Sequence, residues 1–313
     1  PQGVGVRHMG QQPRRDEGLN SLPGWGHRGV SMGRAKQRDI GAVTRGNRPL
    51  AGYTGVKDEY LVLAPEMFVD GEREDIDWIS DAAFSGCNQL KTVVVLNGFR
   101  TIGEAAFYGC TGMTSITLPV GIKCIRARTF MQCDNLADIT LPDGLELICE
   151  YAFNQCYSLK TISIPDSVKG IERDAFAFCQ SMEHIDLPAG IAGIGMSAFR
   201  GCKNLDNVVI PEKVTWIGTR AFAGCSSLQN ISLPQSLSII EQAAFRGTGL
   251  REIRVPESVE YIGSGAFEGC GSLQQIFFDG TLSEWNEAAG GRYMLGTGCE
   301  VPLRCSDGCW KVH

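Results

Sequence analysis

Nine phenylalanines recur along the chain at Phe84, Phe107, Phe130, Phe153, Phe176, Phe199, Phe222, Phe245 and Phe267, every 23 residues with a last step of 22. This period constrains the fold more than composition does. One period is too short to enclose a core, so each copy must bury its apolar face against the next, which builds a solenoid of stacked coils. The expected architecture is a β-rich repeat solenoid of about nine 23-residue coils with a short parallel β-sheet on one face. At a strand spacing of about 4.8 Å the stack is on the order of 40 Å long.

The coil Ala152 to Ile171 shows the pattern A-F-x-x-C-x-x-L-x-x-I-x-[LI]-P-x-x-[VIL]-x-x-I. Alternation in L-x-x-I-x-L suits a short strand with one buried face, so Ile116/Leu118, Ile139/Leu141, Ile185/Leu187 and Ile231/Leu233 point inward. Proline follows each pair; lacking an N–H, it ends the strand. Val168, Val214 and Val259 supply a further inward group. Ile-Gly then closes several coils, at Gly103, Gly195, Gly218 and Gly263. Glycine there allows a tight corner or a positive φ. Arg126, Cys149, Glu172 and Glu241 fill the same slot elsewhere, so positive φ is not a strict requirement. Alanine precedes each spine phenylalanine except Phe130, which follows Thr129. A small residue there lets the neighbouring backbone approach, and the nine rings are expected to stack as a buried structural spine.

These nine copies, over about residues 76–279, resemble the BspA-like leucine-rich repeats, also called the treponemal class. The run Asp279-Gly280-Thr281-Leu282-Ser283-Glu284-Trp285 resembles the segment that closes many bacterial members. The resemblance implies a leucine-rich repeat solenoid. Members of that class are commonly cell-surface or secreted, and several are adhesins that bind host or matrix proteins. It therefore implies a bacterial, cell-surface or secreted protein-binding module, with a host, matrix or neighbouring-cell protein as partner.

Charge divides the chain. Residues 1–57 hold 10 Lys/Arg and 3 Asp/Glu, whereas the remainder holds 19 and 32. The basic Gly/Arg-rich 1–57 has no sustained apolar period and reads as a disordered tail. It carries no aromatic-interleaved basic motif, so nucleic acid is not an expected partner. Residues 58–83 read as an N-terminal cap, with Leu61-Val62-Leu63-Ala64-Pro65 as a degenerate strand-and-proline unit; 84–279 are the solenoid and 280–313 a C-terminal cap, with Trp285 and Tyr293 as lids. The chain begins at Pro1, as a fragment or processed form would, and shows neither a signal-peptide apolar region nor a membrane-spanning apolar run.

Eight of the thirteen cysteines (Cys87, Cys110, Cys133, Cys156, Cys179, Cys202, Cys225 and Cys270) sit three residues after a spine phenylalanine; Thr248 fills that slot once. One cysteine per coil lacks metal-ligand spacing and reads as a ladder of small buried hydrophobes. Free thiols in such a ladder suit a reducing setting, although vertical disulfides are within reach. Cys124 and Cys149 depart from the ladder, and Cys299, Cys305 and Cys309 lie in the C-terminal cap with His313 as the one neighbouring histidine, a poor zinc set.

The outward strand positions form the candidate binding surface on the concave face. Glu183, His184, Asp186, Asp206 and Asn207 gather on two neighbouring coils, with Asn230 and Asp138 on the same face. Such a cluster suits a basic or hydroxyl-rich partner or a weak divalent-cation site, and equally serves as solubilising charge. His184 makes any such contact pH-sensitive, because imidazole changes charge near neutral pH. The chain has no nucleophile elbow, P-loop or zinc-protease motif, and only His184 of its four histidines lies in the repeats. The reading is a non-enzymatic binder with no cofactor and no metal; an intracellular scaffold or regulatory module is the alternative. Oligomeric state is not legible.

Overall fold

The computed structural model describes residues 43–44, 49–50, 59–69, 72–75, 77–290, 294–295 and 300–312. Tyr293, Cys299, His313 and most of the 1–57 segment lie outside the described residues.

The repeats form stacked coils that meet through two parallel ladders joined by turns. The first ladder uses the L-x-x-I-x-L segments. Tyr60–Leu63, Thr92–Val95, Ser115–Thr117 and Asp138–Thr140 pair in order, so identical repeat positions stand opposite one another, as in Ile116 with Ile139. Farther along, Asn207–Val209 pairs with Asn230–Ser232, and Glu252–Val255 with Gln275–Phe278. Between these blocks the coils of Phe153 and Phe176 are held here by isolated bridges, Ser163 with Asp186 and His184 with Asn207.

A second ladder, which the repeat pattern did not announce, runs through the isoleucine before the corner. Its two-residue rungs include Trp78–Ile79 with Thr101–Ile102, Cys124–Ile125 with Leu147–Ile148 and Gly170–Ile171, and Gly193–Ile194 through Tyr261–Ile262. Each isoleucine is buried and the residue before it half-exposed.

The third contact between coils is the turn around the phenylalanine. The residues two before and two after it adopt left-handed backbone: Tyr151 and Gln155 have φ of 59° and 63°, and Ser197 and Gly201 have 55° and 73°. Alternating handedness turns every second N–H toward the next coil. Tyr151, Phe153 and Gln155 donate to the carbonyls of Arg173, Ala175 and Ala177 at 3.0, 2.7 and 2.8 Å, and the same triplet recurs along the stack. A non-glycine residue in this conformation costs about 1–2 kcal/mol, which the inter-coil hydrogen bonds offset.

The Ile-Gly corner works by a different constraint. Gly103, Gly195, Gly218 and Gly263 do not have positive φ. A Cβ on Gly263 would stand 2.3 Å from the Gln242 nitrogen, and one on Gly195 would stand 2.6 Å from the Ile171 carbonyl. Close approach of the preceding coil is therefore what selects glycine. Where glutamate replaces it, the carboxylate takes up a backbone donor of that coil: Glu172 accepts from Glu150 N–H at 3.0 Å and Glu241 from Thr219 N–H at 2.7 Å.

Inside, the nine phenylalanine rings stack with centroids 5.1 to 5.8 Å apart and planes within 20°, and all are buried. Beside them the ladder thiols have a defined polar partner. Each from Cys110 onward donates to the phenylalanine carbonyl of the preceding coil, as Cys179 does to Phe153 at 3.2 Å and Cys225 to Phe199 at 3.1 Å. Thr248 instead bonds the Phe245 carbonyl of its own coil at 2.9 Å. Burial pushes the Cys110, Cys179 and Cys225 thiols up to about 12. All twelve described cysteines are free thiols.

Beyond Phe278 the repeat gives way to the helix Leu282–Ala289. Thr281 caps it in a capping box with Glu284, and Gly290 ends it in left-handed conformation. Trp285 is buried edge-on against Phe278. The Met294 carbonyl accepts the Phe267 N–H at 2.9 Å, as the alanine of a further coil would. The strand Val301–Cys305 joins the first ladder, then folds back antiparallel as Gly308–Val312. Before the repeats, Val43–Thr44 pairs antiparallel with Pro49–Leu50, and Val43 stands opposite Leu63.

Three outcomes follow from this packing. Phe176→Ala should cost about 3–5 kcal/mol in denaturant titration, and a loss under about 1 kcal/mol would contradict the spine's role. Gly263→Ala should destabilise by about 1–3 kcal/mol through backbone overlap, whereas Arg220→Gly, at φ 57° and exposed, should stay within about 1 kcal/mol of the parent. Ladder thiols stay protonated in the folded chain at a pH where unfolded thiols, with an ordinary pKa of 9.0, ionise. The unfolded state then binds fewer protons, so stability should be level below about pH 8 and fall as pH rises through 9 toward 12. A chemical-denaturation series across that range checks the sign; a flat profile would refute it.

Candidate functional site

The outward positions of the first ladder stack by register, which decides what the candidate residues can do together. His184 bridges to Asn207, and Asn207 pairs with Asn230, so these three form one column on successive coils. Asp186 lies two residues beyond His184 and therefore on the same side of the strand. His184 Nε2 and Asp186 Oδ1 are 2.9 Å apart. Glu183 and Asp206 enter their strands one above the other, with Asp206 N–H donating to the Glu183 carbonyl at 3.4 Å. The structure thus gathers Glu183, His184, Asp186, Asp206, Asn207 and Asn230 on three consecutive coils. Asp138 is not part of that group: it pairs with Ser115, and Thr161 occupies the coil between it and His184.

All seven side chains are exposed. Lys160 Nζ stands 3.6 Å from Glu183 Oε1, but both side chains are more than half exposed, so water screens the pair and leaves the carboxylate accessible. The Asp186 side chain is 85% exposed. Carboxylates so placed can accept hydrogen bonds and pair with cations of a partner. Acid–base catalysis needs a desolvated cleft and a positioned nucleophile, which an open sheet face does not provide. Among the described residues, no three His, Cys, Asp or Glu side chains are grouped to hold a metal ion.

Three surface features had no prominence in the repeat pattern. Val209, one coil beyond Asp186 in the same column, is 61% exposed; its signal was an apolar residue at an outward strand position. A depression of about 180 Å³ is lined by Ile231, Ser232, Leu233, Gln235, Arg254, Pro256 and Asp279. It sits where the coil is one residue short, with Phe245 to Leu250 spanning five residues instead of six, and there Ile231 and Leu233 are only half-buried. Arg254 crosses it to Asp279 and lies over the Phe277 ring at 5.3 Å. Its volume is below the several hundred Å³ of an ordinary small-molecule pocket. The second ladder presents Trp78, Cys124, Leu147, Trp216, Ile239 and Tyr261 half-exposed, and Trp216 lies across Gly193. Each of these stands just before the buried isoleucine, a position whose face depends on the unrecognised second ladder.

Among the described residues, no helix is long and apolar enough to cross a membrane. A solved leucine-rich repeat protein from Bacteroides ovatus is similar over 77% of this chain and 70% of its own, at 26% identity and a TM-score of 0.67. A leucine-rich repeat protein from T. pallidum is 30% identical over 70% of this chain and 80% of its own, with a TM-score of 0.45. A leucine-rich cell surface protein from Faecalibacterium prausnitzii is 23% identical over 79% of this chain and 93% of its own, with a TM-score of 0.33. No curated protein matches the chain. The model of the BspA-type leucine-rich repeat region matches in six copies over residues 77–206 and 171–289. The chain belongs to the BspA-type leucine-rich repeat family, whose stacked repeats form protein-interaction scaffolds.

Proposed function

We propose that this chain is a non-enzymatic, adhesin-like protein-binding module of the cell surface or secreted space, and that it engages its partner through the first-ladder face. The observation that carries this reading is the patch of Glu183, Asp186 and Asp206 with His184, exposed and in register on two adjacent coils. A rigid backbone holds the carboxylates at the coil spacing, so their order is paid for in folding and not in binding. The Asn207 and Asn230 column adds hydrogen-bonding groups, and Val209 adds an apolar contact beside them. The matching partner surface is basic, with hydroxyl or amide groups next to its cations. Proteins of a host, a matrix or a neighbouring cell fit the family's habit.

An intracellular scaffold is the second reading, favoured by the free thiols of the ladder. Labelling intact source cells with a membrane-impermeant reagent separates the two by whether the chain is reached.

Binding of the full chain to immobilised matrix proteins and cell surfaces, beside the triple variant Glu183→Ala, Asp186→Ala and Asp206→Ala, tests the face. The expected result is saturable binding that weakens as salt rises and falls by about tenfold or more in the variant. Equal binding by both chains would move the site to another surface. Binding by neither would remove the adhesin reading.

A further inference from the structure

Two cysteines outside the ladder lie together on the opposite ladder's outer face. Cys124 begins the strand Cys124–Ile125, and Cys149 follows Leu147–Ile148 on the next coil. Their sulfurs are 3.5 Å apart. Cys149 N–H donates to the Ile125 carbonyl at 2.9 Å, which fixes the two backbones in register. Both residues are half-exposed, whereas the ladder thiols from Cys110 to Cys225 are fully buried and committed to phenylalanine carbonyls. Cys149 occupies the corner slot that is glycine in other coils, where a Cβ faces the preceding coil. That direction is what carries its sulfur back to Cys124.

We propose that Cys124 and Cys149 are a redox-active dithiol that exchanges with low-molecular-weight disulfides and closes into a staple between adjacent coils. In the proposed exchange Cys124 attacks first. Its hydrogen bond with Cys149, helped by Arg126 and opposed by burial and by the Glu172 carboxylate, holds it below the ordinary thiol range. The same hydrogen bond, then burial, raises Cys149. A half-exposed cysteine beside a cation and next to a second thiol has the features of a reactive cysteine with its resolving partner.

The exchange balances in two displacements. The Cys124 thiolate attacks one sulfur of the small disulfide; the old S–S bond breaks, and the departing thiolate takes the electron pair and a proton from water. Cys149, no longer hydrogen-bonded to a Cys124 thiol, gives its proton to water, and its thiolate attacks Cys124 Sγ in the mixed disulfide; that S–S bond breaks, and the second small thiolate leaves with the electron pair and is protonated likewise. Two protein thiols are oxidised to one disulfide, and one small disulfide is reduced to two thiols. The sulfurs close from 3.5 Å to about 2.05 Å; because Cys124 stands opposite Leu147 and Cys149 lies two residues farther along, closure takes χ1 rotation together with a backbone movement at the corner that brings the two Cα atoms within about 7 Å.

The full chain is incubated with oxidised glutathione, quenched in acid, alkylated with N-ethylmaleimide under denaturing conditions, digested and mapped by mass spectrometry. The expected product is a Cys124–Cys149 cross-link lacking two hydrogens, with the ladder cysteines alkylated. Cys149→Ser should stop at a glutathione adduct on Cys124, and Cys124→Ser should form neither cross-link nor a comparable adduct on Cys149. The proposal is overturned if the wild-type chain stops at adducts, if Cys124 and Cys149 remain alkylatable throughout, or if either links instead to Cys299, Cys305 or Cys309. Both substitutions lie at half-exposed positions, and each variant is expected to keep the parent's near-UV circular dichroism.

Discussion

Contact between one coil and the next is the constraint on which the rest of this structure depends. A phenylalanine ring stacks on the ring of the next coil, and the N–H of the same residue donates to the alanine carbonyl of that coil. Ring packing and the hydrogen bond call for nearly the same rise, so both are satisfied at once only if the coils repeat in register. Alanine before phenylalanine is the residue that lets that carbonyl come close. No coil is complete alone, and the last one borrows its acceptor from Met294 and its apolar cover from Trp285.

The polar requirements of so narrow a core are met by the same stacking. Left-handed residues on either side of the phenylalanine aim backbone donors at the neighbouring coil, including bulky ones such as Tyr151, Arg220 and Phe178. The second lone pair of seven of the nine spine phenylalanine carbonyls is reached by a ladder thiol, and glutamates replace glycine where they can accept a backbone N–H. Among the described residues, no buried side-chain nitrogen or oxygen lacks a partner.

Because inward positions are committed to this packing, variation is confined to outward columns. One face carries the acidic and amide patch, where strand pairing thins to single bridges; another carries the paired thiols. In the proposed readings the first is a surface for a partner and the second a site for covalent change, and neither shares a residue with the spine. Changes at either can alter function while leaving the coil-to-coil contacts intact.

How much could be read from the chain follows from this division. A period of 23 residues, the alternation in L-x-x-I-x-L and the prolines after it are local, and each maps onto a physical need, so the stacked solenoid and the inward identity of Ile116, Ile139 and Ile185 were legible in the sequence. Outward columns were legible too, because register in a parallel stack follows from the period. The second ladder was not, since a two-residue rung such as Leu147–Ile148 has no periodicity and exists only through its neighbours. Left-handed turns at Arg128 and Phe178 carry no glycine to betray them, and the conformation is held by hydrogen bonds to another coil. Cys124 and Cys149 stood out as departures from the repeat, but their 3.5 Å approach was decided by the direction of a Cβ at a corner whose geometry is tertiary. Sequence alone determined what repeats and which side of each strand is buried; the tertiary structure decided which side chains on different coils meet, because those distances depend on contacts between coils that no single repeat contains.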